Sequence, residues 1–318
     1  MAEKTQLPSW SDKEIWLHLG VHKTATTYTQ KLLLANHTTL EQRGIVYIHH
    51  RQTRRELTIP IQTYDGQSFE HDMRQGKDKL LEAPVHYFKA IGSTKAGVVL
   101  LSDENLLGHT GHIVRSGILY ARKETFLARL ASVTPKQPTR ILLTIRDYAD
   151  FFSSVYGQYL HDVQPENFVP PNVFTASILR RKPSWTNLVR VIGKHFPASQ
   201  IEVWNYADFC ADSSVVYSQM FGSGLTAASP SNGQPAEPKR RSMSSKALNA
   251  FLSCCYDAGP APALANLRSI IEDHPRGASQ PGLDIWKSED RATLNQRYRS
   301  HRRALRMSDY VTFHRLAL

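Results

Sequence analysis

Four short β-prone runs, alternating with helical repeats, constrain this chain more than any other feature. They are Ile15-Trp16-Leu17-His18-Leu19, Val98-Val99-Leu100-Leu101, Ile141-Leu142-Leu143-Thr144-Ile145 and Ile201-Glu202-Val203-Trp204. A run that stays apolar at successive positions suits a strand buried on both faces, and strands separated by helices make a parallel sheet. Ile45-Val46-Tyr47-Ile48 reads as a further strand. Between the strands, Tyr28, Leu32, Leu33, Ala35 and Leu40 fall on one helical face, and further helices are predicted near Asp78–Ile91, Tyr120–Ser132, Tyr148–Asp162 and Trp185–Phe196. The expected class is α/β: a mostly parallel central sheet flanked by helices, with a helical C-terminal extension.

The chain has 318 residues, enough to bury roughly three quarters of its unfolded surface without disulfides. Residues 1–14 read as a polar tail and 15–318 as one α/β domain, in which the Gly/Ser/Pro/Ala-rich stretch 222–242 is a flexible linker and 243–318 is helical. Residues 49–77 are polar and read as an irregular binding loop. The three cysteines, Cys210, Cys254 and Cys255, form neither a disulfide framework nor a zinc-type Cys-x-x-Cys pair. No apolar run nears the ~20 residues of a spanning helix, and the polar start does not resemble a signal peptide. A soluble, cytoplasmic protein is expected. With 39 Lys and Arg against 28 Asp and Glu, a net charge of +11 favours an anionic ligand. No nucleic-acid-binding signature accompanies that charge, and the aromatics fall at core spacings.

The first run leads through Gly20-Val21-His22-Lys23-Thr24-Ala25-Thr26-Thr27 into a helix. A strand-to-helix turn aims backbone N–H groups and the helix dipole at one point, which suits a phosphate-like anion. Thr24, Thr26 and Thr27 add hydroxyl donors and Lys23 a mobile charge; the alternative is a Thr-rich terminus used only for capping. The pattern G-x-x-x-x-G-K-[ST] is absent, because the lysine follows the glycine by three residues and no second glycine precedes it. No magnesium ligand is evident, and no metal is expected. The run ending at Ile145 leads into Arg146, with Ser154 eight residues on. An arginine at the carboxyl end of a central strand sits where open α/β sheets bind ligands, so Arg146 and Ser154 can grip a second phosphate; the alternative for Arg146 is an ion pair with Asp147 or Asp150. Phe151, Phe152, Val155 and Tyr159 form that helix's core face.

Together these motifs resemble the sulfotransferases that use 3′-phosphoadenosine 5′-phosphosulfate (PAPS). His22-Lys23-Thr24-Ala25-Thr26-Thr27 is similar to that family's 5′-phosphosulfate loop, and Arg146…Ser154-x-Tyr156 to its 3′-phosphate motif. Asn205-Tyr206-Ala207-Asp208 is similar to the stretch whose tyrosine contacts adenine. The opening HLGVHKTATT resembles bacterial carbohydrate-type members most. The resemblance spans about residues 15–210 and implies a P-loop-like fold, PAPS as donor, and transfer of a sulfuryl group to a hydroxyl or amine of a glycan or other small molecule, an anionic acceptor being compatible with the basic surface. It implies that Lys23 clamps the leaving oxygen, that His22 and the loop residues hold the 5′ end, that Arg146 and Ser154 hold the 3′-phosphate, and that Tyr206 meets the base. In cytosolic members the catalytic base follows the strand before the arginine strand; the topological equivalent here is Ser102-Asp103-Glu104-Asn105. Glu104 is the first candidate, a part-buried carboxylate able to accept a hydroxyl proton; Asp103, which also suits a helix cap, is second, and His22, His49 and His50 follow.

One departure is Ala25, which stands where the family has glycine. Helical periodicity starts immediately afterwards, so Ala25 is expected in the first helical turn, where alanine is harmless. Segments 49–77 and 105–119 are expected to shape the acceptor pocket. Lys239-Arg240-Arg241 reads either as plain linker or as an added 3′-phosphate contact. The arginines Arg297, Arg299, Arg302, Arg303, Arg306 and Arg315 read as a solvated helix face or as a surface for an acidic partner. Rival functions are a P-loop small-molecule kinase and a non-enzymatic basic binding protein.

Overall fold

A computed structural model describes residues 10–62, 77–226, 243–277 and 281–316. Along the chain come β1 (Glu14–His18), α1 (Thr26–Ala35), α2 (His37–Glu41), β2 (Ile45–Tyr47) and α3 (His50–Thr53). A π-helical turn (Arg54–Thr58) leads into α4 (Ile59–Gln62), followed by α5 (Lys77–Gly92), β3 (Val98–Ser102), a 3-10 turn (Glu104–Leu107), α6 (Thr110–Ser116) and α7 (Lys123–Val133). Then follow β4 (Arg140–Ile145), α8 (Tyr148–Asp162), α9 (Pro171–Arg181), α10 (Trp185–His195), β5 (Gln200–Asn205), α11 (Tyr206–Ala211) and α12 (Ser213–Phe221). The C-terminal part holds α13 (Ser245–Ala258), α14 (Pro260–Ala265), α15 (Leu267–Asp273), α16 (Ser288–Arg306) and β6 (Val311–Phe313).

The six strands form one sheet in the order β2-β3-β1-β4-β5-β6, parallel throughout. The continuous apolar runs follow from this arrangement, because both faces of the sheet are covered. Leu100, Leu142 and Trp204 point to one face, against Leu32, Leu33, Met220 and Phe221 of α1 and α12. Their strand neighbours Val99, Leu101, Ile141, Leu143, Ile201 and Val203 point to the other, against Leu127, Phe151, Phe152, Leu188 and Ile192. From β1 the chain runs outward to β2 and β3; from β4 it runs the other way to β5. The carboxyl ends of β1 and β4 are adjacent and flank the point where the winding reverses, where ligands of open sheets bind.

Two segments depart from the sequence expectation. Residues 50–62 are helical rather than irregular, because Leu57 and Ile61, one turn apart, are fully buried and fasten the segment to the core. The C-terminal extension is helical in α13 to α16 but ends in a strand: β6 pairs with β5 from Ile201↔Val311 to Val203↔Phe313 at the sheet edge. Residues 63–76 of the expected acceptor loop, and Lys239-Arg240-Arg241 with most of the linker, lie outside the described residues. No helix among the described residues is long and apolar enough to cross a membrane.

Candidate active site

The turn after β1 is built from left-handed backbone. Gly20 has φ 59°, Lys23 65° and Ala25 64°. Glycine is required at position 20 on both counts, since a Cβ there would run into Thr26 Cγ2. Ala25 is the N-cap of α1 at φ 64°, ψ 24°, so it lies outside the helical turn in which the sequence puts it. The position has the left-handed conformation that glycine adopts freely, and alanine bears the strain. No side chain caps α1 there, which excludes threonine capping and leaves the first N–H groups of the helix, with its positive dipole end, to face outward. Thr24 does not join them: it is buried, and its hydroxyl donates to Val21 O at 2.7 Å inside the turn.

His22, Lys23, Ala25, Thr26 and Thr27 line a cleft of about 760 Å³, within the range of small-molecule sites. Arg146 and Ser154 line the same cleft from β4 and α8, and Tyr206 from the start of α11. Arg146 physically joins the three motifs. Its Nη1 donates to Lys23 O at 2.8 Å, its guanidinium lies 4.8 Å from the Tyr206 ring centroid, and its own carbonyl accepts from Trp185 Nε1 at 2.9 Å. Neither neighbouring carboxylate claims it: Asp147 caps α8 by accepting from Ala149 N and Asp150 N, and Asp150 pairs with Arg291 at 2.9 Å. Tyr206 is half-buried, and burial raises its phenol above the ordinary value, so it stays neutral.

Glu104 lines the cleft from the end of β3, where its carboxylate accepts from Gln30 Nε2 at 3.0 Å and from Arg54 Nη2 at 3.3 Å. Asp103, 0% exposed, is held far more tightly. It takes Arg54 at 2.7 and 3.2 Å, accepts from Thr58 Oγ1 at 2.8 Å and caps the 3-10 turn through Asn105 N at 3.1 Å. Asp103 is therefore a structural anchor and Glu104 the carboxylate that reaches the cleft. His49 caps α3 by accepting from Arg51 N, and His50 stacks on it at 4.5 Å; neither lines the cleft.

The far wall comes from residues the sequence does not single out as a site. Tyr298 and Arg302 of α16, and Arg276 beside α15, line the cleft with Asn205, whose Oδ1 accepts from Tyr298 OH at 2.7 Å. At least one member of the C-terminal arginine run thus faces the site and not bulk solvent. Among the described residues no group of three or more His, Cys, Asp or Glu side chains is placed to hold a metal ion.

No family model matches the sequence, and no curated protein matches it. Among solved structures, a sulfotransferase from Alicyclobacillus acidocaldarius aligns over 84% of this chain and 98% of its own, at 15% identity and a TM-score of 0.37. At that distance, what the cleft can do is decided by its own residues. They bring the uncapped start of α1, Lys23, Arg146, Arg276 and Arg302 to one cleft, with Tyr206 and Tyr298 among its walls and Glu104 at its β3 end.

Proposed function

We propose that this cleft binds PAPS and transfers its sulfuryl group to an acceptor hydroxyl. The observation that carries the proposal is the joining of both sequence motifs in one cleft: Arg146 touches the backbone of Lys23 and the face of Tyr206 at once. A donor with an anion at each end of one nucleoside fits two cationic grips with an aromatic ring beside them, and ordinary adenine nucleotides lack the second anion.

In-line displacement makes a bond between acceptor oxygen and sulfur and breaks the bond from sulfur to the 5′-phosphate oxygen, on which negative charge develops. Lys23 and the unclaimed N–H groups at the start of α1 place positive charge on that oxygen, supported by the Thr26 and Thr27 hydroxyls. Such preorganised donors act where charge grows and need no reorganisation during the reaction. Arg146 and Ser154 hold the 3′-phosphate, with Arg276 and Arg302 adding positive charge on the opposite wall. Glu104 takes the acceptor proton; Arg54 is engaged mainly by Asp103, so it orients Glu104 through one long contact without neutralising it fully. Whether the acceptor is a glycan hydroxyl is part of the same proposal, supported only by the likeness of the HLGVHKTATT segment to carbohydrate-type members.

Thermal-shift titration tests the donor site. Adenosine 3′,5′-bisphosphate should stabilise the protein without magnesium, and AMP should do so far less. Stabilisation only by ATP with magnesium would replace the proposal with phosphoryl transfer, and indifference to every nucleotide would remove it.

A further inference from the structure

His22 has the intrinsic acidity of a general base and lines the cleft, yet both its ring nitrogens and its backbone N–H are engaged. Its ring Nδ1 lies 3.0 Å from Tyr120 OH, its Nε2 lies 3.0 Å from Asn105 Oδ1, and its backbone N–H donates to the same Tyr120 oxygen at 3.0 Å.

These contacts fix the proton. Asn105 Nδ2 donates to Asp103 Oδ1 at 3.2 Å, and Asp103 accepts the Arg54 guanidinium through both oxygens, so the amide must turn its Oδ1 to His22. An amide oxygen only accepts, so His22 Nε2 carries the hydrogen. In a neutral ring with its hydrogen on Nε2, Nδ1 has only a lone pair to offer, so the Tyr120 hydroxyl donates to it while the Tyr120 oxygen accepts from the His22 backbone N–H. We propose that Tyr120 and Asn105 are positioning residues that lock His22 as the neutral Nε2–H tautomer, making it a strut of the lysine turn that takes no part in proton transfer.

Two further observations agree with this. Tyr120 is fully buried and held at φ 51°, a conformation that a bulky residue keeps only when its surroundings impose it. Burial holds the His22 imidazole below the ordinary histidine value, and this outweighs the opposing pull of Glu104, of the Asn105 hydrogen bond and of Asp103. The charged and titratable groups facing it are Glu104 and Asp103 after β3, Arg54 from the π turn, His109 ahead of α6, and Tyr120 itself. Since one phenol oxygen fastens both the ring and the backbone of the residue before Lys23, loosening it should disorder the loop that carries the lysine.

The tautomer is read directly from long-range ¹H–¹⁵N ring correlations of protein labelled with [¹⁵N]histidine, without nucleotide, from pH 5.5 to 8, with His22→Gln to assign the signal. The parent protein should show a neutral Nε2–H ring unchanged over that range. In Tyr120→Phe, Nδ1 loses its donor and His22 should titrate at higher pH, because a hydrogen bond that favoured the neutral form is gone. Asn105→Ala should mix the two tautomers. Adenosine 3′,5′-bisphosphate should bind Tyr120→Phe about tenfold more weakly, the effect of one lost buried hydrogen bond, and its kcat should acquire an acid limb absent from the parent. A parent His22 in the Nδ1–H form, or one that titrates within the range, overturns the proposal; so does a Tyr120→Phe spectrum identical to the parent's. If Tyr120→Phe does not fold, the parent and Asn105→Ala spectra decide. The binding and kcat arms rest on the proposed function, whereas the spectra do not: failure of the bisphosphate to bind the parent would remove the donor site and leave the tautomer standing.

Discussion

Replacing Ala25 by glycine is expected to stabilise the protein by about 0.5–1 kcal/mol. Ala25 sits at φ 64°, ψ 24°, where an L-residue costs roughly 1–2 kcal/mol relative to its right-handed alternatives. Glycine removes that cost but adds about 0.4–1 kcal/mol of backbone freedom to the unfolded chain. The balance favours glycine because the deleted methyl makes no hydrogen bond and lies half-buried at the cleft wall. The contacts of this residue to α1 are made by its carbonyl, which accepts from Thr29 N at 2.9 Å and from Thr29 Oγ1 at 3.2 Å, and both survive the change. In a chain of this size so small a gain moves Tm by only about a degree or two. Urea unfolding followed by circular dichroism is the better assay, with a midpoint rising by roughly 0.2–0.3 M at a slope of about 3 kcal/mol per molar. A midpoint equal to or below the parent's would refute the reasoning: either the backbone at Ala25 is not left-handed in solution, or the methyl makes a packing contact worth more than the strain.

Lys23→Ala should lower the transfer rate by about 10²–10³ while leaving the melting curve close to the parent's, because its contribution is charge aimed at the leaving oxygen; activity within a few-fold of the parent would contradict that role. Arg146→Ala should weaken adenosine 3′,5′-bisphosphate by about 10–100-fold, the range of one charge-assisted contact, and AMP much less; calorimetric titration of both ligands checks it, and equal losses would detach Arg146 from the 3′-phosphate. Stability should depend on pH through His18, which is fully buried with Nδ1 2.8 Å from Ser102 Oγ and is pushed down to about 4 by burial. The folded value lies below the unfolded one near 6.5, so the unfolded chain binds the extra proton: this contribution is complete above pH 6.5 and is lost as pH falls toward 4, by up to about 3 kcal/mol. Urea midpoints at pH 8 and 5 should differ accordingly, and less so in His18→Gln; equal dependence in the two proteins would exclude His18 as the source.

Much of this arrangement is legible in the sequence, and the exceptions have physical reasons. The five strands with largely apolar runs are visible because burial of the sheet leaves few polar positions, such as Thr144 and Glu202, to disguise them. Val311-Thr312-Phe313 escapes notice because an edge strand of three residues, half-buried at best, carries no such run. The helices at 50–62 are hidden because only Leu57 and Ile61 face the core strongly, among His50, Arg51, Gln52, Arg54 and Arg55. The one sequence hint of the left-handed φ of Ala25 is the glycine at that position in the motif it resembles; alanine itself most favours the opposite conformation. The engagement of Asp103 and Glu104 by Arg54 joins positions about fifty residues apart, beyond any local pattern. The sequence leaves Arg302 open between a solvated face and a surface for an acidic partner for a similar reason: helical spacing gives the face of a residue on its own helix, not what the fold later lays against that face.

The placement of α16 bears on how the cleft keeps its two grips in register. Lys23 and Arg146 follow adjacent strands, so the sheet alone fixes their spacing, and the bond from Arg146 to Lys23 O ties the loops directly. The third wall has no such tie through the sheet centre. It depends on α16, which packs on α8 and places Tyr298 OH on Asn205 at the end of β5, while β6, the strand that follows α16, adds to the outer edge of β5. Tyr206 is the residue next to Asn205, so the C-terminal helix braces the aromatic surface from behind while its Arg302 faces the cleft. The acids along the same walls are held elsewhere: Asp147 caps a helix, Asp150 pairs with Arg291 and Asp103 with Arg54. Lys23, Arg146, Arg276 and Arg302, from four separate stretches of chain, therefore line one space while its nearest carboxylates are occupied; under the proposed function that separation of charge, more than the net +11, would favour an anion with charge at both ends.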